Sequence, residues 1–290
     1  GDPASLPVAG NRYNRTNQTN FEKIPGSPIG YWASMSTIRQ WEKRPTFSKE
    51  FKTRSGMITG DSSKFIRLWY EPSLSGTGFG FSNRDSAKVS GMKWFPYSKG
   101  GAFRRWYGNN EYVVNWQEDG NYMRNYRDSS GKIAAHAFNL DYIFKAQVTW
   151  SAISSGIFSA RLCPEGFLFD ASGSFGVIPK KYIMFQLGFL NSKVAQYLLK
   201  VLNPTMNFQK GNIGDLPVYW EENTGVSSVV KSCVNIAHKD WDTAECSWNF
   251  ICFPLVAHIA EHNPLTIWLI LLFTCLIRIT SSPPSQTMAT

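Results

Sequence analysis

Short runs of aromatic and β-branched residues, each bounded by Gly, Asn, Asp or Pro, most strongly limit what this chain can fold into. They do not alternate regularly with helical segments, so a βαβ series with a parallel sheet is disfavoured. We therefore predict an α+β fold whose sheet is mixed or antiparallel. The predicted strands are Phe65–Tyr70, Tyr112–Trp116, Gln147–Ala152, Ile157–Leu162 and Gly166–Asp170.

Two helices are predicted towards the C-terminus, and both carry apolar residues at helical spacing. The first follows Asn191-Ser192, since either side chain can cap free amides at a helix start, and it ends at Asn203-Pro204. The second runs from Val226 to about Asp242. The expected inner faces are Leu190, Val194, Tyr197, Leu198 and Val201 in the first helix, and Val229, Val230, Cys233, Ile236 and Ala237 in the second.

Shifts in composition divide the chain into four predicted parts. Residues 1–30 are rich in Asn, Thr, Pro and Gly and are interpreted as a connector from an upstream domain. Residues 31–220 would form the main domain, and residues 221–262 a helical extension. Residues 263–290 form a tail whose apolar run, Leu265–Ile277, is shorter than the roughly twenty residues of a membrane-spanning helix. The run is interpreted as a core helix or an aberrant terminus.

The positive charge is concentrated in one half of the chain. The net charge is +9, and residues 1–145 hold 21 lysines and arginines against 12 acidic residues, whereas residues 146–290 hold 9 of each. This asymmetry is expected of a polyanion-binding surface joined to a neutral scaffold. A solvated basic face without a partner is the alternative. Aromatic residues make up 15% of the chain, which favours a folded protein over a disordered one.

The cysteines favour a reduced, cytoplasmic setting. There are five, an odd number, and no secretory signal opens the sequence. The row Cys246, Cys252, His258 and His262 lacks both the short cysteine pair and the long spacer of a zinc finger, so no metal site is predicted.

The segment Lys93–Asn110 combines three kinds of side chain that bind nucleic acids. Its cations can neutralise phosphates or contact a guanine edge, its aromatic rings, Tyr97 among them, can stack on an unstacked base, and its amides can pair with an adenine edge. A loop packed by its own aromatic residues is the alternative. The predicted DNA contacts here are Lys99, Arg104, Arg105, Trp106, Tyr107, Asn109 and Asn110.

Four further residues form a second group of predicted DNA contacts. Lys64 and Arg67 flank the start of a predicted strand, after a tight polar turn, and would lie near a nucleic-acid backbone if this rim faces DNA. The other two are Lys210 and Asn212.

No catalytic residue is predicted. The glycine-rich run Gly76–Gly80 imitates a loop that holds S-adenosylmethionine, but no buried strand precedes it. Ser282–Ser285 contains two prolines but lacks the Asn or Asp and the aromatic residue of an amino-methyltransferase site. No Ser or Cys motif accompanies the histidines, which are His136, His238, His258 and His262.

Several blocks, in this order, resemble the C-terminal target-recognition region of PglX-like adenine-specific DNA methyltransferases of BREX phage-exclusion systems. The resemblance covers about residues 20–250, and its last block is also similar to specificity subunits of type I restriction systems. The blocks are Phe21–Trp32, Thr59–Asp61 with Phe65–Trp69, Lys93–Asn110 with Tyr112–Trp116, Thr149–Gly156, Gly166–Asp170, and Leu190–Lys193 with Asn203–Thr205 and Gly211–Pro217.

The resemblance implies that this chain selects a site on double-stranded DNA for an upstream methyltransferase domain. That domain would bind S-adenosylmethionine, flip the adenine and transfer the methyl group. It also implies association with other phage-defence proteins, and no membrane partner is expected. Three departures are notable: no Asn-Pro-Pro-Tyr tetrad is present, Ser62 stands where the family block has Asn, and the resemblance ends after about Phe253. The chain should therefore not methylate DNA by itself.

Two other functions remain open from the sequence. A specificity subunit of a type I restriction-modification complex would act only as a DNA-binding and assembly module, although such a subunit usually has two recognition halves. A membrane-tethered protein would use Leu265–Ile277.

Overall fold

Eight strands and nine α-helices occur in the residues that the computed structural model describes, which are 17–153, 156–219 and 224–256. The chain divides into two compact units, residues 1–238 and 239–290. The described part of the second unit holds the last turn of a helix and a series of turns. The strands are β1 Lys52–Arg54, β2 Ile66–Leu68, β3 Trp94–Ser98, β4 Tyr112–Asn115, β5 Gln147–Ser151, β6 Ala160–Cys163, β7 Leu168–Phe169 and β8 Gly173–Val177.

The helices range in length from four residues in α2 and α3 to nineteen in α9. They are α1 Met35–Lys43, α2 Phe47–Glu50, α3 Ser62–Phe65, α4 Arg84–Val89, α5 Gln117–Arg124, α6 Ile183–Asn191, α7 Lys193–Leu202, α8 Lys210–Gly214 and α9 Thr224–Asp242.

The strands form two four-stranded sheets, which confirms the predicted α+β class. The first has the order β1-β8-β5-β6 and is antiparallel throughout. The second has the order β2-β4-β3-β7 and is mixed, because β7 runs parallel to β3. The division into four parts stays a prediction, and residues 1–16 of its connector and the whole 263–290 tail lie outside the described residues.

The largest apolar core lies between the first sheet and the helices α6 and α7. Trp150 of β5 is fully buried, and its Nε1 donates to the carbonyl oxygen of Phe208 at 3.0 Å. Leu187 and Leu190 of α6 and Leu198 of α7 belong to the same buried cluster. This core fixes the position of β6, whose neighbouring loop carries several of the predicted DNA contacts.

Three predicted strands have different bounds in the structure. Asp61 caps α3 by accepting a hydrogen bond from the backbone N of Lys64 at 3.1 Å, so the strand predicted from Phe65 begins only at Ile66. The strand predicted over residues 157–162 covers 160–163, and the one predicted over 166–170 is reduced to two residues. The strands predicted at residues 112 and 147 are confirmed.

The start of α7 is confirmed, but its predicted inner face is wrong in part. Ser192 caps the helix by accepting from the backbone N of Ala195, at 3.1 Å. Val194 and Tyr197 are exposed, and the buried positions are Ala195, Leu198, Leu199 and Val201. The preceding helix α6 was not predicted, because it is apolar on nearly all sides and therefore shows no helical periodicity.

The second predicted helix is confirmed as α9, but its buried face again differs in part from the predicted inner face. Val230 and Val234 are buried in the core, whereas Val229 and Ile236 are exposed. Both apolar sets fit a helical period, so spacing alone could not select the side that packs on the first sheet's core.

We expect Ser192→Ala to lower the free energy of unfolding by about 1 kcal/mol, because an amide at the start of α7 loses its acceptor. Urea denaturation followed by circular dichroism measures the change. Ser228→Ala, at an exposed position inside α9, is the matched control and should cost nothing measurable. Equal losses in the two variants would show that the cap does not contribute.

Candidate nucleic-acid interface

An open cleft of about 710 Å³ lies at the end of the second sheet where β3 begins and β4 ends. Its lining contains three cations, two tyrosine rings, four side-chain amides and one carboxylate. Such a mixture can contact phosphates, stack on bases and pair with base edges. The lining residues are Lys64, Lys93, Asn115, Gln117, Glu118, Asn121, Tyr122, Asn125, Tyr126 and Arg127.

Lys64 is held over the two tyrosine rings of the cleft. Its Nζ lies 4.7 Å from the ring centroid of Tyr126 and 5.2 Å from that of Tyr122. The hydrogen bond with Tyr122 is the largest cause of a raised pKa of Lys64. Tyr126 in turn donates its hydroxyl to Oδ2 of Asp61 at 3.2 Å. The ammonium group therefore stays charged and is positioned by the α3 turn.

A left-handed turn inside α5 brings the tyrosines into the cleft. Glu118, Asp119 and Gly120 have φ values of 52°, 60° and 72°. Gly120 is required here, because a Cβ would lie 2.5 Å from the ring of Trp116. Asp119 fixes the turn by accepting from Arg84 Nε at 2.9 Å and from Arg124 Nη1 at 3.1 Å. The hydrogen bond to Asp119 is the largest cause of a raised pKa of Arg84.

Two asparagines on α5 and just after it form an amide pair in the cleft. Asn125 donates its Nδ2 to Oδ1 of Asn121 at 2.7 Å and to the carbonyl oxygen of Asn121 at 2.9 Å. This arrangement leaves Oδ1 of Asn125 and Nδ2 of Asn121 able to pair with another group. One acceptor and one donor are the groups that pair with the N6 and N7 edge of an adenine in the major groove.

A further cationic and aromatic group adjoins the cleft. The guanidinium of Arg67 lies 5.7 Å from the ring centroid of Trp94, and Nζ of Lys93 lies 5.6 Å from it. Arg67 also donates Nη1 to the carbonyl oxygen of Ile66 at 2.7 Å and to that of Ser63. The predicted contacts Lys64 and Arg67 are thus brought together at one end of the second sheet.

The predicted contacts between Lys99 and Asn110 lie at the opposite end of the β3–β4 hairpin. Lys93 precedes β3 and Lys99 follows it, and the six residue steps between them correspond to about 20 Å of extended chain. Nζ of Lys99 lies 5.0 Å from the ring centroid of Tyr112, at the start of β4. The strand therefore separates Lys93 from Lys99 and from the loop that follows it.

The loop after Lys99 pairs with the edge of the first sheet. The backbone N of Trp106 donates to the carbonyl oxygen of Ala160 at 3.0 Å, and Leu162 donates to that of Trp106 at 2.8 Å. Arg104, Arg105 and Trp106 are partly exposed, and the guanidinium of Arg105 lies 5.7 Å from the ring centroid of Phe103. These side chains form the accessible part of the loop.

Several aromatic and amide side chains of this segment are covered. Tyr97 is fully buried and donates its hydroxyl to Asp170 at 2.9 Å, so the prediction that its ring offers a face to a base is wrong. Tyr107 is 6% exposed, and its ring lies against that of His238, with 4.0 Å between the centroids and 37° between the planes. Asn109, which donates its Nδ2 to the carbonyl oxygen of Ala102 at 2.8 Å, and Asn110 are also buried. A DNA-binding role of Tyr107, Asn109 and Asn110 stays a prediction, and it would require the loop to open.

Lys210 and Asn212 lie on α8, beside the first sheet. Oδ1 of Asn212 accepts from the backbone N of Gln209 at 3.1 Å and from Nδ2 of Asn203 at 3.2 Å, so it caps α8. Lys210 is exposed and lines a separate cleft of about 650 Å³ with Arg54 and Phe138. Their contact with DNA stays a prediction.

Sequence reasoning missed the side chains that follow the left-handed turn. The sequence nevertheless contains a signal, since Asn121-Tyr122 and Asn125-Tyr126 repeat the same pair after four residues and are followed by Arg124 and Arg127. At this spacing both pairs lie on one side of a helix. The repeat could have indicated a shared ring and amide surface.

Two further observations concern the described part of the chain alone. No group of three His, Cys, Asp or Glu side chains there is arranged to hold a metal ion, and His258 and His262 of the cysteine–histidine row lie outside it. No helix within the described ranges has the length and apolar character needed to cross a membrane.

Comparison with known proteins gives two extended similarities, whereas no family model matches the chain. It is 40% identical over 252 residues to the adenine-specific methyltransferase PglX of Lacticaseibacillus casei (strain Zhang). The chain is similar to a region of PglX. It is also 34% identical over 252 residues to the adenine-specific methyltransferase BrxX of Escherichia coli O9:H4 (strain HS). Each alignment covers 86% of this chain, but only 21% of PglX and 19% of BrxX. The PglX-like chain thus spans about a fifth of the length of these relatives.

Proposed function

We propose that this PglX-like chain recognises a short double-stranded DNA site on behalf of an adenine-specific DNA methyltransferase that acts in phage defence. The remainder of a longer polypeptide would hold S-adenosylmethionine and the catalytic residues, and would flip the target adenine. The observation that carries the proposal is the cleft in which Lys64 lies over Tyr122 and Tyr126 beside the Asn121–Asn125 amide pair.

The chemistry of the cleft divides between affinity and discrimination. Lys64, Lys93 and Arg127 would contact phosphates, which makes affinity depend on salt. The Asn121–Asn125 pair would contact a base edge, and a good bidentate contact contributes about 1–3 kcal/mol of discrimination. Mixed polar and cationic lining of this kind suits a nucleic acid better than an apolar ligand.

The proposal assigns two groups of cations to one duplex. The cleft lies at the start of β3, the loop of Arg104 and Arg105 follows the end of β3, and the strand between them is about 20 Å long. At 3.4 Å per base pair this corresponds to about six base pairs of duplex. A short recognition site would therefore be held at both ends.

The direct test is selection by the 290-residue chain from duplexes with a randomised core, followed by fluorescence anisotropy on the enriched sequence. We expect one sequence to be enriched and its dissociation constant to rise steeply with salt. No enrichment together with salt-independent binding would contradict the proposal.

Asn121→Ala should distinguish binding to DNA bases from binding to the DNA phosphate backbone. We expect it to weaken binding to the selected duplex about tenfold and binding to unrelated duplexes hardly at all, because it removes a base contact but no charge. Anisotropy titrations with both duplexes measure the two effects. Asn83→Ala, which changes an asparagine that caps α4 and is absent from the cleft lining, is the matched control and should leave the preference intact. A uniform loss with both duplexes would argue against base recognition by the amide pair.

A further inference from the structure

Arg161 is a buried cation, and none of the causes of its pKa shift among the described residues is a carboxylate. It lies on β6 and 1% of its surface is exposed. Its Nη2 donates to Oγ of Ser151 at 3.2 Å, whereas its Nη1 has no hydrogen-bond partner among the described residues. Burial lowers the pKa of Arg161 to about 10, and the positive charge of Arg104 acts in the same direction while Cys163 opposes it. An uncompensated charge in this position destabilises the protein unless an anion joins it.

Two more buried donors lack acceptors in the loop that pairs with β6. They are Nε of Arg105 and Nδ2 of Asn110, and neither has a hydrogen-bond partner in the described part of the chain. The loop is joined to β6 on both sides of Trp106, through Ala160 and Leu162. All three unsatisfied groups therefore belong to one pair of segments, and all three are donors.

We propose that the loop formed by residues 99–110 and strand β6 create a phosphate-binding site in which Arg161 supplies the central positive charge. The site takes one phosphate group, whose several acceptor oxygens can satisfy separate donors at the same time. Arg104 and Arg105, on the same loop, are partly exposed, and the positive charge of Arg104 acts on Arg161. This inference rests on the proposed function for the source of the phosphate, which is the backbone of the bound duplex.

The local backbone suits the close approach of an anion. Gly100, Gly101 and Gly108 have φ values of 89°, 122° and 118°, and they place no side chain over the loop. The carbonyl oxygen of Gly101 accepts from Oγ of Ser151, the same hydroxyl that accepts from Arg161. A phosphate that binds Arg161 would thus also order the loop through Ser151.

The test is thermal unfolding of the full chain in inorganic phosphate and in chloride at equal ionic strength. We expect phosphate to raise the midpoint of the wild-type chain by at least about 3 °C, as a ligand that binds only the folded state does. Arg161→Met should raise the midpoint in chloride, because an unpaired buried charge is removed, and should abolish the response to phosphate. The variant would thus be more stable than the wild type in chloride and yet gain no stability from phosphate. Loss of an arginine with a purely structural role would instead lower the midpoint in both salts.

Two further variants, Lys193→Met and Arg161→Lys, test whether the response to phosphate depends on Arg161 itself. Lys193→Met removes an exposed cation on α7 and should retain the full response to phosphate. Arg161→Lys keeps the charge but fewer donors, so its response should be reduced several-fold even if the methionine variant does not fold. An Arg161→Met chain that folds and still responds to phosphate, or an Arg161→Lys chain with the full wild-type response, would overturn the proposal.

A second experiment, the salt dependence of binding to duplex DNA, tests whether the phosphate belongs to the DNA backbone. With DNA, Arg161→Met should reduce the slope of log affinity against log salt by about 0.9, the contribution of one phosphate contact. A lost response to inorganic phosphate with an unchanged slope would overturn the assignment to the DNA backbone. Because the first arm contains no DNA, its failure is distinguishable from a failure of DNA recognition itself.

Discussion

Gly56→Ala is expected to lower the free energy of unfolding by at least about 3 kcal/mol, or to prevent folding. A Cβ at this position would lie 2.0 Å from the carbonyl oxygen of Phe169 and 2.5 Å from that of Asp170, and both are backbone atoms. Met57, the next residue, donates its N to the oxygen of Phe169 at 2.7 Å. Gly56 follows β1 of the first sheet and lies against the end of β7 in the second sheet. Relief of the clash would therefore require the segment after β1 to move away from β7.

Urea denaturation and the yield of soluble protein measure this effect. Gly76→Ala is the matched control, because a Cβ there meets nothing within 4 Å and the residue has no positive φ. It should leave the midpoint within about 0.5 kcal/mol of the wild-type value. Equal midpoints for the two variants would mean that the approach of residue 56 to β7 is not tight in solution.

The double change Arg104→Ala with Arg105→Ala is expected to weaken binding to the selected duplex at least about a hundredfold, since two charge-assisted phosphate contacts are lost. Its thermal midpoint should not fall, because Arg104 adds a like charge near the buried Arg161. Anisotropy at several salt concentrations measures the affinity and the salt slope, which should decrease by about 1.8.

Two consecutive lysines in another part of the fold provide the matched control. Lys180→Ala with Lys181→Ala removes the same charge from exposed positions after β8. This variant should lose affinity much less than the arginine variant. If both doubles weaken binding equally, the effect of Arg104 and Arg105 is that of net charge alone, and the loop is not part of the interface.

Charge and spacing predicted some of the candidate site but not its geometry. The turn at Asp61 was identified as polar and basic, yet its role is to hold Lys64 over Tyr122 and Tyr126, which come from a different element. Conversely, Asn109 and Asn110 have the residue types that pair with adenine, but the loop buries them. Composition identifies side chains that can bind DNA, whereas exposure depends on what packs against them.

The amino-acid sequence by itself determined the α+β class, the start of α7 at the Asn191-Ser192 pair and the basic first half, because propensity, capping and charge act within a few residues. Only the tertiary structure decided that β3 separates Lys93 from Lys99 and that Nη1 of the buried Arg161 has no hydrogen-bond partner among the described residues. Both features depend on contacts between residues far apart in the chain, such as the pairing of Trp106 with β6. Local patterns contain no information about such pairings.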